Sequence, residues 1–271
     1  MMDKRMVTNK LLARKQRLDR MQKDIVGHTI AICVLAIIML VSYASMPVYN
    51  TPQVTPVIVT PLHDMTHAVL TLKVTSNTSN PWMPTKEDGT PNYITWMGSG
   101  VLIDHIGTVI TANHVVQDAK TIVAVDYNGC EYEVEYFKGC EYADLGVVQL
   151  KPPTPLPIVS LAEANVEVGD TIYICGSSLG DFTNSLSKGI VGYPSRLFED
   201  MGYSKPVFQT DSSAYPGNSG GPVYNANGEV VGILVAGIDS GMTFAVPIDQ
   251  VRAFYDLCIA DRYLREFSCQ K

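Results

Sequence analysis

Charge is scarce in this sequence and unevenly signed. Of its 271 residues 17% are charged and 46% hydrophobic, which excludes global disorder, because disordered chains are apolar-poor and charge-rich. Basic residues are in deficit, 20 Lys+Arg against 27 Asp+Glu for a formal net charge of −7, whereas a dedicated nucleic-acid binder needs a basic surface. The six cysteines (Cys33, Cys130, Cys140, Cys175, Cys258 and Cys269) contain no CxxC pair, so neither a zinc site nor a complete disulfide framework is indicated. Cys130 and Cys140 flank the alternating run Glu131 to Lys138. If that run is one strand, its ends are roughly 30 Å apart and the two thiols cannot bridge each other. The five cysteines outside the apolar run described next read as structural or free thiols. Strand–helix alternation and helical repeats are also missing, which argues against an α/β fold.

The charge that is present divides the chain. Residues 1–24 hold eight basic and three acidic side chains, or +5, and the remainder carries −12. At the boundary lies an apolar run, Ile25 to Ala44, whose only titratable side chains beyond Cys33 and Tyr43 is His28. A helix of that length spans about 30 Å, the hydrocarbon thickness of a bilayer. Residues 25–45 therefore read as a transmembrane signal anchor, with the basic tail in the cytoplasm and the rest outside, in a periplasmic or extracellular space. A cleaved signal peptide, with Ser42 and Ala44 as the small residues before the cut, is the competing reading. Residues 46–64 contain prolines at 47, 52, 56 and 61 and read as an extended linker, leaving 65–271 as the folded domain.

That domain is punctuated into short apolar or alternating runs. Strands are expected at 67–74, 98–103, 107–113, 120–126, 130–138 and 145–150, then at 171–176, 187–192, 206–210, 221–225, 228–237 and 241–246. Asn128-Gly129 and Asn227-Gly228 fall at hairpin positions. The proline-rich interval 151–168 splits the strands six and six, so the fold class is all-β in two similar halves, either barrels or a sandwich. One helix is expected from Ile248 to about Leu264, with Val251, Phe254, Tyr255 and Cys258 on one face.

Three stretches carry chemistry: GSGVLIDHIGTVITANHVV, ending a strand at His114; ADLGVVQL, with Asp144 before an apolar strand; and TDSSAYPGNSGGPV, with Ser219 among glycines. A serine hydroxyl is a weak nucleophile and needs an adjacent base, for which histidine is suited near neutrality. The histidine needs a carboxylate to fix its tautomer, with Asp126 and Glu141 as rivals to Asp144; His67 and His105 sit in no comparable motif. Glycines let the turn aim backbone N–H groups at one point, as binding of an oxyanion requires.

These residues resemble the trypsin-like serine proteases, and within them the HtrA/Deg group. The likeness extends to Gly98-Ser99-Gly100-Val101, the run Gly217-Asn218-Ser219-Gly220-Gly221-Pro222, Asn227-Gly228-Glu229, and Phe244-Ala245-Val246-Pro247-Ile248. The resemblance implies a double six-stranded antiparallel β-barrel and a serine endopeptidase with His114 as base, Asp144 as orienting acid and Ser219 as nucleophile. Gly217, Asn218 and Ser219 would form the oxyanion hole. Ser213 would floor the acyl-side (S1) pocket, with Val235, Ala236 and Gly237 as its wall, favouring a neutral aliphatic side chain. Polypeptide substrates such as damaged envelope proteins, and a homo-trimer, are further implications; no metal or cofactor is implied. A catalytically latent peptide-binding or chaperone-like membrane protein of the same fold is the alternative. The chain departs from the group in three places. About 23 residues follow Ile248, below the roughly 40 that a PDZ module would need to fold. Gly176-Ser177-Ser178-Leu179 stands where the group has Gly-Asn-Pro-Phe, and the polar insert Thr75–Asn92 reads as a surface loop.

Overall fold

The computed structural model describes residues 62–264, apart from 81, 84, 87–88, 152–156, 181, 200–202 and 239–240. The basic tail, the apolar run and most of the proline-rich linker lie outside these residues. Among the described residues, no helix is long and apolar enough to cross a membrane. The last residues of the expected linker are helical, not extended: α1 covers Leu62–Met65 and runs into a 3-10 turn, Thr66–Ala68.

Twelve strands form two closed barrels. The first comprises β1 (Val69–Ser79), β2 (Tyr93–Leu102), β3 (Thr108–Thr111), β4 (Ala119–Val125), β5 (Glu131–Cys140) and β6 (Leu145–Leu150). The second comprises β7 (Thr171–Ser178), β8 (Phe182–Arg196), β9 (Val207–Thr210), β10 (Pro222–Asn225), β11 (Val230–Ile238) and β12 (Met242–Pro247). The hydrogen-bonded orders are β1-β2-β3-β6-β5-β4 and β10-β11-β12-β9-β8-β7, and every pairing within them is antiparallel. Continuous apolar runs become the strands buried on both faces, β3 and β6, while β5 alternates exposed and half-buried positions over Glu131–Glu135. Asp126 sets the β4–β5 hairpin, its carboxylate accepting from the Asn128 and Cys130 amides and from the Tyr132 hydroxyl.

The expected loop at 75–92 is partly sheet. β1 and β2 continue beyond the barrel as a ribbon pairing Thr75 with Thr95 and Ser79 with Tyr93. β8 likewise runs on to Arg196, past Pro194, with shifts in its register against β9. Cys140 takes part in a disulfide, which corrects the reading of all five cysteines as unbridged or free; Cys130 remains an exposed thiol.

The barrels meet along β1, β2 and β7, where the Thr71 and Ser177 hydroxyls bond each other. The fully buried Tyr224 donates its hydroxyl to the Met65 carbonyl at 3.1 Å. Burial, then the neighbouring Cys175, pushes this phenol well above its ordinary pKa. The C-terminal helix α3, Ile248–Leu264, packs on β11 and β12 through Ile248, Val251, Phe254 and Cys258, all buried. Of its expected apolar face, Tyr255 is half-buried and reaches the first barrel, donating to Asp104 Oδ2 at 3.1 Å. Arg252 secures the helix to the inter-barrel crossing by donating to the Leu161 and Ala162 carbonyls, each at 2.7 Å.

Candidate active site

β3 stops at Thr111, and His114 lies in a one-turn helix, α2 (Asn113–Val116), instead of ending the strand. Asp144 follows a 3-10 turn, Glu141–Ala143, in the left-handed conformation at φ 48°. Asp tolerates that region because its short polar side chain bonds locally. The His114 Nδ1 lies 3.0 Å from Asp144 Oδ2 and 3.2 Å from Oδ1, and the His114 backbone N–H donates to Oδ1 at 3.1 Å. A carboxylate only accepts, so the ring proton sits on Nδ1 and Nε2 is left as the basic nitrogen. Asp144 is the sheltered partner, 14% exposed at its side chain against 39% for His114. The rivals are used elsewhere: Asp126 holds the hairpin described above, and His67 stacks on Tyr127 with ring centroids 3.7 Å apart.

Ser219 is held against the first barrel. Its carbonyl accepts from the Ser99 amide at 2.8 Å, and Gly98 is tight between that carbonyl and Val115, the neighbour of His114. The turn around Ser219 is a complete account of its carbonyls. That of Pro216 accepts from the Leu179 amide at 2.7 Å, that of Gly217 from the Ser99 hydroxyl at 2.7 Å, and that of Asn218 from the Gly221 amide at 2.9 Å. In a trans peptide the N–H points opposite to its C=O, so the Gly217 amide faces away from the Leu179 donor and the Ser219 amide from the Gly221 donor. Among the described residues neither has an acceptor. The Asn218 amide, by contrast, donates to the Tyr215 carbonyl at 3.0 Å, and its side chain accepts from the Ser178 hydroxyl at 2.8 Å. Asn218, expected to share the oxyanion hole with Gly217 and Ser219, thus has its amide and side chain engaged within the turn, unlike its two neighbours' amides.

Ser99, which motif reading noted only within Gly98-Ser99-Gly100-Val101, has a role that reading did not assign. It is fully buried, its hydroxyl accepts from the Ser177 amide at 2.9 Å while donating to Gly217, and its carbonyl accepts from the Thr111 hydroxyl at 2.6 Å. Gly220 makes this approach feasible. It sits at φ +83°, and a β-carbon there would collide with the Thr111 hydroxyl and the Ser99 carbonyl. Beneath the turn Cys175 is fully buried, and burial pushes its thiol up to about 12. Burial and then the Asp144 charge hold the Tyr203 phenol well above its ordinary value.

Beside Ser219 opens a cleft of about 610 Å³ that Ser213, Val235, Ala236 and Gly237 all line, together with Tyr215 and Thr243. Among the described residues its lining carries no carboxylate, ammonium or guanidinium group.

The family follows from comparison. The chain matches the family model for a trypsin-like peptidase domain over residues 98–233 and belongs to that family. It is 36% identical over 174 residues to a putative serine protease HhoA of Synechocystis sp., covering 62% of this chain and 44% of that protein. It is 37% identical over 159 residues to a probable periplasmic serine endoprotease, DegP-like, of Pseudomonas putida, covering 56% of this chain and 33% of that one. The chain thus spans less than half the length of these relatives. Among solved structures, the HtrA-type protease AlgW with a decapeptide superposes with a TM-score of 0.62 at 24% identity, covering 72% of this chain and 64% of that one. That likeness is one of fold.

Proposed function

We propose that this protein is a serine-type endopeptidase of the HtrA type, anchored in a membrane by residues 25–45 with its peptidase domain on the periplasmic or extracellular side. The observation that carries the reading is the pairing of an Asp144-oriented His114 with a serine turn whose carbonyls are all bonded and whose Gly217 and Ser219 amides are unclaimed. In this reading Ser219 Oγ attacks the scissile carbonyl while His114 Nε2 takes its proton. The Gly217 and Ser219 amides stabilise the oxyanion, and His114 returns the proton to the leaving amine. Water activated by the same histidine then releases the acyl group. Asp144 holds the ring and offsets the imidazolium charge.

The cleft, whose lining carries no charged group among the described residues, supports a neutral, aliphatic acyl-side residue. The basic tail before the apolar run supports the orientation, as does the periplasmic description of the DegP-like relative. Polypeptides of the cell envelope, misfolded ones among them, are the substrate class that fits.

A serine-reactive fluorophosphonate probe tests the reading directly. The full-length protein should label once, and Ser219→Ala should abolish labelling and lower kcat by on the order of 10⁴–10⁶. Absence of labelling, or labelling that survives Ser219→Ala, would leave a latent peptide-binding protein of peptidase fold.

A further inference from the structure

The ribbon that β1 and β2 form beyond the first barrel ends in an apolar corner. Asn80 closes it: its amide donates to the Asn92 carbonyl at 2.6 Å, its side chain accepts from the Trp82 amide at 3.0 Å, and its carbonyl accepts from the Met83 amide at 3.3 Å. Trp82 and Met83 are presented at this corner, 92% and 56% exposed, and no other large apolar side chain among the described residues is as open as Trp82. The charged residues of the loop, Lys86, Glu87 and Asp88, come later in the sequence, at a second turn that the Lys86 amide closes on the Thr90 carbonyl at 2.9 Å. Lower on the ribbon Ile94 is 40% exposed, and the Lys120 ammonium lies 4.1 Å from the centroid of the Tyr93 ring. Apolar surface held open by a built turn marks a place of contact.

The chain itself points to the occupant. The 17 residues from Ser45 to Pro61 join the apolar run to the described domain and reach at most about 60 Å. β1 has 11 residues and is about 35 Å long, so the tether is long enough for the ribbon tip to meet the bilayer that holds the anchor. Tethering also raises the local concentration, and a corner of two side chains then suffices for contact. Tryptophan suits the boundary of hydrocarbon and headgroups because its ring is apolar while its N–H keeps a polar partner, and tyrosine and lysine keep their tips wet in the same layer. The ribbon leaves the barrel beside His114 and Ser219. Trp96 Nε1 donates to the carbonyl of Val115, the neighbour of His114, at 3.0 Å, and Gly98 abuts the Ser219 carbonyl. Only about 17 Å of strand separates Gly98 from Tyr93, so a docked tip keeps the cleft close to the bilayer surface.

We infer that the β1–β2 ribbon is a membrane-docking element, whose Trp82 and Met83 enter the headgroup layer of the bilayer that anchors the chain and hold the active-site cleft over its surface. The inference rests on the membrane-anchor and peptidase readings and narrows the substrate class to polypeptide segments lying at that surface. The partner is a zwitterionic lipid surface, because the acidic remainder of the chain is repelled by anionic headgroups and the corner offers apolar side chains, not cations.

The test uses the full-length protein reconstituted in phosphatidylcholine vesicles. Of its two tryptophans, Trp96 is half-buried and bonded to the Val115 carbonyl, and Trp82→Ser supplies its signal alone. Phosphatidylcholine brominated near the headgroup should quench the parent's emission, and the variant should lose that quenching. Quenching of Trp82 by aqueous acrylamide and not by the brominated lipid overturns the docking. Protection from both quenchers overturns it too, and would assign the tip to a second copy of the chain. A second arm compares one peptide substrate free in solution with the same peptide lipid-anchored in the vesicles. Trp82→Ser/Met83→Ser should lower kcat/KM for the anchored form by about tenfold and leave the free form unchanged. Equal losses on both forms, or no loss on either, overturn the substrate assignment. Release of the protein from the vesicles by a carbonate wash overturns the anchor and the inference together, whereas retention with Trp82 open only to acrylamide leaves the anchor standing. Failure of the unaltered protein to cleave either form overturns the peptidase reading and the substrate assignment, and the quenching arm still decides the docking.

Discussion

A single hydroxyl decides the geometry of the serine turn. Ser99 Oγ bridges the Ser177 amide and the Gly217 carbonyl in a fully buried setting, so removing it strands one donor and one acceptor, at about 1–3 kcal/mol each. Its effect on chemistry should exceed its effect on stability, because the Gly217–Asn218 peptide then loses the restraint on its carbonyl, and this peptide joins the two planes that carry the Gly217 and Ser219 amides. Ser99→Ala should therefore lower kcat by on the order of 10²–10³ with KM nearly unchanged, as loss of one oxyanion donor does. Steady-state kinetics alongside a melting curve checks this, and equal losses in kcat/KM carried wholly by KM would assign Ser99 to substrate binding instead. Gly220 answers to a different force. Gly220→Ala imposes a side chain at φ +83° against Thr111 and Ser99, costing about 1–3 kcal/mol for the backbone and a comparable amount for the overpacking. That variant should lose both activity and several degrees of melting temperature, and an unaltered melting temperature would rule the clash out.

At the level of elements, local signals and tertiary ones separate cleanly. The strands in the barrel walls were legible because each is either a short apolar run or a strict alternation ended by Gly, Asn or Pro, and the six-and-six division followed from the proline-rich crossing. The ribbon formed by the ends of β1 and β2 was not, since Thr75–Ser79 and Tyr93–Met97 stand largely in solvent and have no apolar face to alternate with. Pro194 reads as a breaker, yet β8 continues through it because an irregular register against β9 spares a missing N–H. His114, Asp144 and Ser219 stood out because each is embedded in a local motif. Ser99 stood in a quoted motif but without a role, because its part depends on the two barrels meeting, and the parts of Tyr215 and the Leu179 amide depend on the β7–β8 hairpin reaching the serine turn. Helix α3 lies between these cases: its apolar face was legible, its tether was not. Arg252→Ala should release the Leu161 and Ala162 carbonyls and destabilise the protein by about 2 kcal/mol. Urea unfolding measures this, with Arg252→Lys recovering only part of the loss because one ammonium cannot reproduce the forked donation.

Over the whole molecule, the second barrel and the junction with the first hold three weak acids in their neutral forms: the Cys175 thiol, pushed up to about 12, and the Tyr203 and Tyr224 phenols, both raised. Burial is the leading cause for each, so the folded state favours the protonated group. In the unfolded chain the thiol ionises near 9.0 and the phenols near 10.0. Below pH 9 both states keep all three protons and stability does not depend on these groups. Between pH 9 and 10 the unfolded chain gives up the thiol proton while the folded protein retains it. Unfolding is then favoured by up to about 1.4 kcal/mol per pH unit. Above pH 10 the phenols add to the slope in the same direction, and the thiol's share ends near its folded value of about 12. Urea midpoints taken from pH 8 to 11 should therefore be level at first and fall increasingly steeply from pH 9. Cys175→Ala leaves a small cavity and lowers the whole curve, but it should also remove the earliest part of the fall, so that the descent begins nearer pH 10. A curve for Cys175→Ala that runs parallel to the parent across pH 9 to 10 would show that the thiol ionises alike in both states, and that the floor beneath the serine turn is wetter than its packing indicates.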